Sequence, residues 1–540
     1  MLRPQEPGQI PLAAVTDSGP RREAHGSSER ITLIGSLAIL SIAYLFAATA
    51  LSTADYFRMD EVLAVSAARQ PSLWGVWQAI WTGTDFSPPT FHFLLHGLVQ
   101  AVGGADGHLV WRLPSILAVY GAAVCTYWLL VKSQVSRSVA MLAFGIVLAF
   151  DLFDFAIQVR QYALLALGLA AALLLWSGMD DTRAGKIQAC GLWLVLAACL
   201  CLHFYGVIAV AVIGTAELVY WISRRRLRIA VWLALLLTAP VEAALYPLAS
   251  HLAQFNAGDN LATGFYARPS TGLFLQAMFE VVGGSGFGTL VLLAAFLLVG
   301  IAYLLERSGV RLPMDAKPVQ ARQAVGLSEL EIVIIALCLL PVITFAFSLF
   351  VTKSFNARYM AAGALLPAIA AAYTLDRLPP RRFVALALVP LIVGVLILRL
   401  QAPDHVVQAL AVLQKPRPPA PVVVGEGLLY IELMEAADAG TRSHLVYLKR
   451  PEGSVSPDPT NENEVIRLAT FLPDYRISEA SAFLKDNARF YVLARPDETT
   501  DTTTPALIEK EVLGSLLDSE NGVLLFRSAP EPDRQQGAAR

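Results

Sequence analysis

The chain has 540 residues, of which 56% are hydrophobic and 16% charged, and its formal net charge is -2. A mean hydropathy of +0.55 excludes an ordinary soluble domain, and the nearly balanced charge gives no sign of a nucleic-acid partner. The five cysteines lie inside apolar runs without CxxC or Cys/His ligand spacing, so the sequence predicts neither a disulfide framework nor a zinc site.

The N-terminal segment, residues 1–30, is rich in Pro, Gly and Arg and is predicted to be disordered and cytoplasmic. The apolar run 31–52 is long enough to be a retained first membrane-spanning helix rather than a cleaved signal. The polar stretch after it, 53–107, is predicted to form the first periplasmic loop. This loop carries the adjacent acids Asp60 and Glu61 and is the longest polar interruption in the N-terminal half.

Further apolar runs follow, several of about 18 residues or more, which is enough to cross a bilayer as a helix. Basic residues are concentrated in alternate connections, as the positive-inside rule expects. These patterns predict a polytopic α-helical membrane protein with about eleven transmembrane helices between residues 31 and 400. The eighth span is expected to end near Leu305. Other spans have approximate bounds of 31–52, 108–131, 138–155, 161–178, 229–248, 330–350 and 360–375.

The last segment, 403–540, differs in character from the rest of the chain and contains short β-like runs. These runs are Val422–Val424, Leu445–Leu448, Phe490–Leu493 and Val523–Phe526. Helical stretches separate them, and Ser478 is a plausible N-cap for one of these, Ser478–Lys485. A small α/β domain is therefore predicted, and the odd number of spans places it outside the cytoplasm. Because no GxGxxG motif occurs there, a nucleotide site is not expected.

Ionisable side chains near the predicted outer ends of the spans are the candidates for chemistry, because such groups need a partner, a ligand or water. These residues are Asp60, Glu61, Asp85, Arg112, Asp154, Arg160, Lys353 and Arg358. Acids are prominent in the first loop, whereas most of the cations enter from later turns. A carboxylate base beside a cationic phosphate pocket requires that division. Taken singly, the Asp60-Glu61 pair also fits a solvated pair of loop acids or a helix N-terminal charge. Arg112, Arg160 and Arg358 also fit interface anchors.

Six short motifs occur in a characteristic order along the chain. They are Asp60-Glu61, Ser87–His92, Arg112–Ser115, Val159–Leu164, His203–Gly206 and Asn356–Met360. In this order and loop placement they resemble the GT-C membrane glycosyltransferases that use polyprenyl-phosphate sugars. The bacterial relatives of protein O-mannosyltransferases and lipid A aminoarabinose transferases look most similar. The resemblance covers about residues 31–400.

The resemblance implies an inverting transfer of a sugar from a polyprenyl-phosphate carrier to an acceptor hydroxyl of a lipid, glycan or protein outside the cytoplasm. Asp60 would be the catalytic base, and Glu61 would orient Asp60 or the acceptor. The cations Arg160, Lys353 and Arg358 would bind the donor phosphate. The further substrate-binding candidates are Asp85, His92, Tyr162, His203, Tyr205 and Tyr359.

The lipid-linked sugar would be the donor substrate. A divalent metal stays open, although His92, His96 and His203 show no ligand spacing that supports one. The expected location is the bacterial inner membrane, with the N-terminus cytoplasmic and the C-terminal domain periplasmic. A non-catalytic transporter or lipid flippase of cell-envelope glycan assembly is the alternative, although no internal repeat is visible. An inactive assembly subunit also stays open. Ser87 stands where family members often have His or Lys, and Gln158 where many have an acid.

Overall fold

The computed structural model describes residues 19–104, 107–180, 182–261, 267–281, 327–378, 381–401, 405–449, 459–495, 501, 503–509, 512–520 and 522–529. The described residues are helical up to Gln401 and form a mixed α/β part from His405 onward. The helices of the first part are α1 (Gly19–Ala54), α2 (Met59–Ala68), α3 (Leu73–Trp81), α4 (Thr90–Ala101), α5 (His108–Lys132), α6 (Arg137–Ala149), α7 (Asp151–Ala156), α8 (Tyr162–Trp176), α9 (Arg183–Leu202), α10 (Val207–Arg224), α11 (Ile229–Leu236), α12 (Ala239–Leu261), α13 (Thr271–Val281), α14 (Glu329–Phe347), α15 (Leu365–Leu375), α16 (Arg381–Ala387) and α17 (Val389–Leu398).

Seven helical segments among the described residues are long and apolar enough to cross a membrane. They are Arg30–Ala54, His108–Lys132, Arg183–Leu202, Phe204–Arg224, Ile229–Phe255, Glu329–Thr352 and Arg381–Leu398. Two shorter apolar helices, α6 and α8, accompany them. The protein is thus a polytopic helical membrane protein, as the apolar runs predicted. The predicted eighth span lies outside the described residues, so the number of eleven stays a prediction.

Local sequence explains how the central helices form and pack. Helix α8 consists almost entirely of Ala and Leu, which are strong helix formers. It packs between α5 and α9, and its apolar surface is largely buried. The bundle is less regular than the predicted spans. The third predicted span breaks at Phe150, and a 3-10 helix, Ala357–Ala364, precedes α15.

The second part begins with α18 (His405–Leu413) and contains a six-stranded sheet in the order β3-β2-β1-β4-β6-β5. The strands are β1 (Val422–Val424), β2 (Leu445–Lys449), β3 (Ile477–Glu479), β4 (Tyr491–Ala494), β5 (Leu513–Glu520) and β6 (Val523–Ser528). Strands β1 to β4 are parallel, and β6 runs antiparallel to β4 and β5. The helices between them are α19 (Gly427–Ala436), α20 (Ala439–Arg442), α21 (Pro459–Ala469), α22 (Ala480–Asp486) and α23 (Thr503–Glu509).

The predicted N-cap at Ser478 was wrong. Ser478 lies in β3 and pairs with Leu448 of β2, while Glu479 occupies the N-cap position of α22. Pairing with a neighbouring strand has overridden the local capping preference of serine.

The α/β part packs directly on the first loop, residues 53–107. Helix α19 lies against α2, and Arg69 forms an ion pair with Glu435 at 2.7 Å. From α21, the guanidinium of Arg467 lies 5.1 Å from the ring centroid of Phe86 and 5.7 Å from that of Phe255. The first loop is therefore held between the helical bundle and the α/β part.

Candidate active site

The first turn of α2 presents both acids of the predicted pair. Arg58 is its N-cap, and its backbone N–H donates to Glu61 Oε2 at 3.0 Å. Negative charge is favourable in the first turn of a helix, because the exposed N–H groups carry partial positive charge. Adjacent positions on a helix point in different directions. Asp60 and Glu61 consequently meet different surroundings.

Glu61 is buried and fully occupied by protein donors. Arg112 donates from Nε to Oε1 and from Nη2 to Oε2, both at 2.9 Å. The backbone N–H of Val159 also donates to Oε1, at 2.8 Å. With the bond from Arg58, each carboxylate oxygen accepts two hydrogen bonds, which is about the full capacity of the group. Glu61 therefore fixes the backbone around Asp60 and has no acceptor site left for a substrate hydroxyl.

Arg112, which the sequence also left open as an interface anchor, is buried beneath this loop. It donates to the backbone carbonyls of Ser52, Asp55 and Tyr56 as well as to Glu61. Its guanidinium lies 5.3 Å from the ring centroid of Phe57. Arg112 thereby ties the end of α1 and the start of the first loop to α5.

Asp60 is accessible and pairs with a cation from a distant part of the chain. Arg358 Nη1 donates to Asp60 Oδ2, and the two side chains are 25% and 28% exposed respectively. Arg160 Nη1 donates to the backbone carbonyl of Asp60 at 3.0 Å. Burial would raise the pKa of Asp60, but Arg358 and Arg160 outweigh it and hold that pKa below its ordinary value. Asp60 is therefore a carboxylate at neutral pH.

Asp85 is a second acid close to Asp60, and its side chain is buried. Its Oδ2 accepts from Arg160 Nη1 at 2.8 Å and from His92 Nε2 at 3.1 Å. Burial would raise the pKa of Asp85, but Arg160 and the hydrogen bond from His92 lower it overall. Arg160 thus bridges the Asp60 backbone and the Asp85 carboxylate, and His92 donates to the same oxygen of Asp85.

Aromatic side chains surround the Asp60–Arg358 pair. The rings of Tyr205 and Tyr359 stack with centroids 4.1 Å apart, and Tyr162 lies 6.4 Å from Tyr359. The guanidinium of Arg358 is 5.9 Å from the ring centroid of Tyr162 and 6.0 Å from that of Tyr359. Such contacts stabilise a cation through the faces of the rings. Tyr205 is anchored by hydrogen bonds from its hydroxyl to the Ser354 carbonyl, at 2.6 Å, and with Thr352 and Ser348.

His203 lies in the tight turn between α9 and α10. Its Nδ1 accepts from the backbone N–H of Tyr205 at 3.0 Å. Burial, with a smaller contribution from Arg160, lowers the pKa of His203 to about 3. The ring is therefore neutral and carries its proton on Nε2. The turn requires Gly206, since a Cβ there would lie 2.1 Å from the carbonyl oxygen of Cys199.

Lys353 is the predicted phosphate ligand that the structure keeps apart. The residue has a left-handed backbone with φ 58°, and its Nζ donates to the Leu349 carbonyl at 2.8 Å. Within the described part of the chain, no contact joins Lys353 to Asp60, Arg160 or Arg358. Asp154 also lies elsewhere, paired with Arg399. The other predicted site residues converge around Asp60.

A small apolar groove lies beside this cluster. Arg358 and Tyr359 line it together with apolar residues from three helices, which are Leu165 and Leu169 of α8, Ile208 and Ala209 of α10, and Leu340 of α14. The groove therefore combines an aliphatic wall with a cationic group. A metal site is not suggested, since no group of three potential ligands occurs within the described ranges.

Comparisons with known proteins agree with this architecture. No protein-family model matches the sequence, and no curated protein is significantly similar to it. The fold is similar to ArnT from Cupriavidus metallidurans bound to undecaprenyl phosphate, with a TM-score of 0.52 and 14% identity, covering 91% of this chain and 98% of that one.

The apo form of the same ArnT gives a TM-score of 0.53 at 14% identity, covering 92% of this chain and 98% of that one. An oligosaccharyltransferase from Archaeoglobus fulgidus, in complex with Zn and sulfate, gives 0.46 at 12% identity, covering 90% and 72%. The similarity to ArnT extends over nearly the whole of both chains. This chain therefore shares the fold of ArnT, in agreement with the fold that the sequence resemblance implied.

Proposed function

We propose that this protein is an inverting membrane glycosyltransferase that moves a sugar from a polyprenyl-phosphate carrier to an acceptor hydroxyl outside the cytoplasm. The observation that carries this proposal is the accessible Asp60–Arg358 pair beside an apolar groove. A base, a phosphate-binding cation and a lipid-compatible surface thus meet at one place. The ArnT structure with undecaprenyl phosphate supports a donor of this class.

The proposed reaction uses Asp60 and Arg358 in opposite roles. The acceptor hydroxyl transfers its proton to the Asp60 carboxylate while its oxygen forms a bond to the anomeric carbon. The bond between that carbon and the phosphate oxygen breaks, and the electron pair leaves with polyprenyl phosphate. Arg358 neutralises the charge that develops on the phosphate. A single displacement of this kind inverts the configuration at the anomeric carbon.

Neighbouring groups hold these two residues in place. Arg160 fixes the Asp60 carbonyl and adds positive potential, while Asp85 and His92 keep Arg160 oriented. Tyr162 and Tyr359 flank Arg358 and offer ring faces to the sugar. The mechanism assigns no step to Lys353, whose ammonium donates to the Leu349 carbonyl. No observation on the molecule favours the transporter or flippase alternative.

Binding of undecaprenyl phosphate tests the donor class. Arg358→Ala in lipid nanodiscs should weaken binding by about 10- to 100-fold, because a hydrogen bond to a charged group contributes about 1.5–3 kcal/mol. Arg358→Lys should restore little, since lysine cannot reproduce the planar guanidinium between two rings. Native mass spectrometry or microscale thermophoresis would measure the affinities.

Arg69→Ala is the matched control, because it removes a guanidinium from the opposite end of α2. Its affinity should stay within about twofold of wild type, as expected for a surface ion pair. Equal affinities of the wild-type and Arg358→Ala proteins would contradict the proposed phosphate site. Transfer from labelled undecaprenyl-phosphate sugars to membrane acceptors would then identify the reaction itself.

A further inference from the structure

A carboxylate from the α/β part reaches into the first turn of α2. Glu432 of α19 is only 4% exposed, and its Oε1 accepts from the backbone N–H of Met59 at 3.1 Å. Its Oε2 accepts from His405 Nε2 at 2.5 Å. Arg58 Nη1 in turn donates to His405 Nδ1 at 2.5 Å. The two first-loop residues in this contact, Arg58 and Met59, lie immediately before Asp60 in the chain.

The contact satisfies a helix end from outside the helix. The first N–H groups of an α-helix have no partner within it and need an acceptor. At α2, Glu61 binds the N–H of Arg58, whereas Glu432 binds the N–H of Met59. Two consecutive amides before Asp60 are therefore held by carboxylates from different parts of the protein. A buried carboxylate is retained only where partners compensate its lost hydration, and Glu432 has them.

His405 lies between Arg58 and Glu432. Arg58 Nη1 is 2.5 Å from His405 Nδ1 and 3.3 Å from Nε2, and Nε2 is 2.5 Å from Glu432 Oε2. Because arginine can only donate hydrogen bonds, His405 accepts from Arg58. His405 thus links the side chain of the α2 N-cap to Glu432 and leaves both of its ring nitrogens occupied.

We propose that Glu432 and His405 are positioning residues for the transfer reaction, through which docking of the α/β part fixes the catalytic geometry of Asp60. The inference rests on the proposed function, in which Asp60 is the base. A displacement of about 1 Å at a reacting group can lower the rate by about 100-fold. Glu432 is not among the residues that line the groove, so its effect should be on turnover rather than on donor affinity.

A second ion pair on the same helix supplies a matched control. Glu435 lies one turn after Glu432 on α19 and pairs with Arg69, beyond the far end of α2. It contributes to the same docked interface but does not contact residues 58–60. Comparing Glu432→Ala with Glu435→Ala distinguishes an effect on the position of Asp60 from a general effect on the docking of the α/β part.

Hydrogen exchange of the full-length protein in nanodiscs tests the contact without any substrate. Glu432→Ala should increase exchange in a peptide covering residues 58–64 by at least about tenfold, since the Met59 amide loses its acceptor. Glu435→Ala should leave this peptide at the wild-type rate. Wild-type exchange in Glu432→Ala, or equal increases in both variants, would overturn the proposal.

The transfer assay uses the labelled undecaprenyl-phosphate sugar that the wild-type protein accepts. Glu432→Ala should lower kcat by about 10- to 100-fold, with undecaprenyl phosphate affinity unchanged within about twofold. Glu432→Gln should recover part of kcat, because the amide oxygen can still accept from Met59 while its NH₂ group opposes His405. Glu432→Gln also provides the test if Glu432→Ala fails to fold. Equal kcat values for wild type and both Glu432 variants would overturn the proposal.

Absence of transfer by the wild-type protein would count against the proposed function alone. The hydrogen-exchange comparison would still decide whether Glu432 holds the first turn of α2.

Discussion

Asp60 and Glu61 show how two adjacent acids of similar chemistry acquire different tasks. Glu61 is buried with both oxygens saturated by Arg112, Arg58 and Val159. Asp60 retains 28% exposure, and its carboxylate pairs with the side chain of Arg358. From the sequence, the pair predicted a base and an orienting neighbour. The structure supports assigning Glu61 to the orientation of Asp60 rather than of the acceptor.

Substitution of the two acids should therefore have different consequences. Asp60→Asn keeps the shape but removes the base, and single-turnover transfer should fall by about 10²–10⁴ with the melting temperature little changed. Glu61→Gln should instead lower the free energy of unfolding by about 3–5 kcal/mol, since it leaves Arg112 buried without its counter-charge. The transfer activity of folded Glu61→Gln protein should fall less than that of the Asp60→Asn protein. Wild-type turnover by Asp60→Asn would move the search for the base to Asp85.

The pH dependence of the reaction follows from the cations around Asp60. Because Arg358 and Arg160 hold its pKa below the ordinary value of about 3.9, Asp60 is ionised at neutral pH. The stabilisation that the Asp60–Arg358 pair gives the fold is fully present above the unfolded-state pKa of about 3.9. It is lost as the pH falls through the lower pKa of the folded state. Arg358→Ala removes one cation and should raise the pKa of Asp60. The acid limb of kcat/KM, which reports the free enzyme, should then move to higher pH. An unmoved acid limb would show that Asp60 is not the titrating base.

At the scale of elements, sequence periodicity predicted the long apolar helices but not the irregular turns that place the cations. Lys353 and Arg358 are five residues apart and look alike as phosphate ligands. After α14 a π-turn, Ser348–Thr352, ends at the left-handed Lys353, which turns its side chain back to Leu349. Arg358 instead lies in the first turn of the 3-10 helix Ala357–Ala364, whose N-cap is Asn356, and its side chain pairs with Asp60. Short turns of this kind depend on tertiary contacts that hydropathy does not report.

The same limit applies to the sheet. The predicted strands are short runs of Val, Leu and aromatic residues, and strands β1, β2, β4 and β6 occur where those runs lie. Strands β3 and β5 were missed. They lie at the two edges of the sheet, and their polar or exposed side chains give no continuous apolar signal. Pairing with an inner strand determines them.

At the scale of the whole molecule, the contacts of the α/β part constrain the membrane topology. Helix α19 packs on α2, so the α/β part and the first loop must lie on the same side of the membrane. At the other end of the bundle, Arg224 donates to the Leu327 carbonyl at 2.7 Å, close to the basic connection after α10. The proposed orientation places the first of these ends in the periplasm and the second in the cytoplasm.

Reporter fusions test this orientation. An alkaline phosphatase fusion just after Leu400 should be active, as expected for a periplasmic end of the bundle. A fusion near Arg226 should be inactive with alkaline phosphatase and active with a cytoplasmic reporter such as green fluorescent protein. A separate fusion in the first loop gives the internal check, since it must agree with the Leu400 fusion. The reverse result at either position would place the Asp60 site on the wrong side for the proposed reaction.

The Asp60–Arg358 ion pair has a kinetic consequence. In the proposed reaction the donor phosphate and the Asp60 carboxylate need the same guanidinium, so Asp60 acts as an intramolecular competitor of the donor. The base becomes free to accept a proton only after the phosphate has taken its place on Arg358. Substrates would then add in a compulsory order, donor first and acceptor second. Part of the binding free energy of the lipid carrier would then be used to separate Asp60 from Arg358, and this part would not contribute to the affinity for the donor.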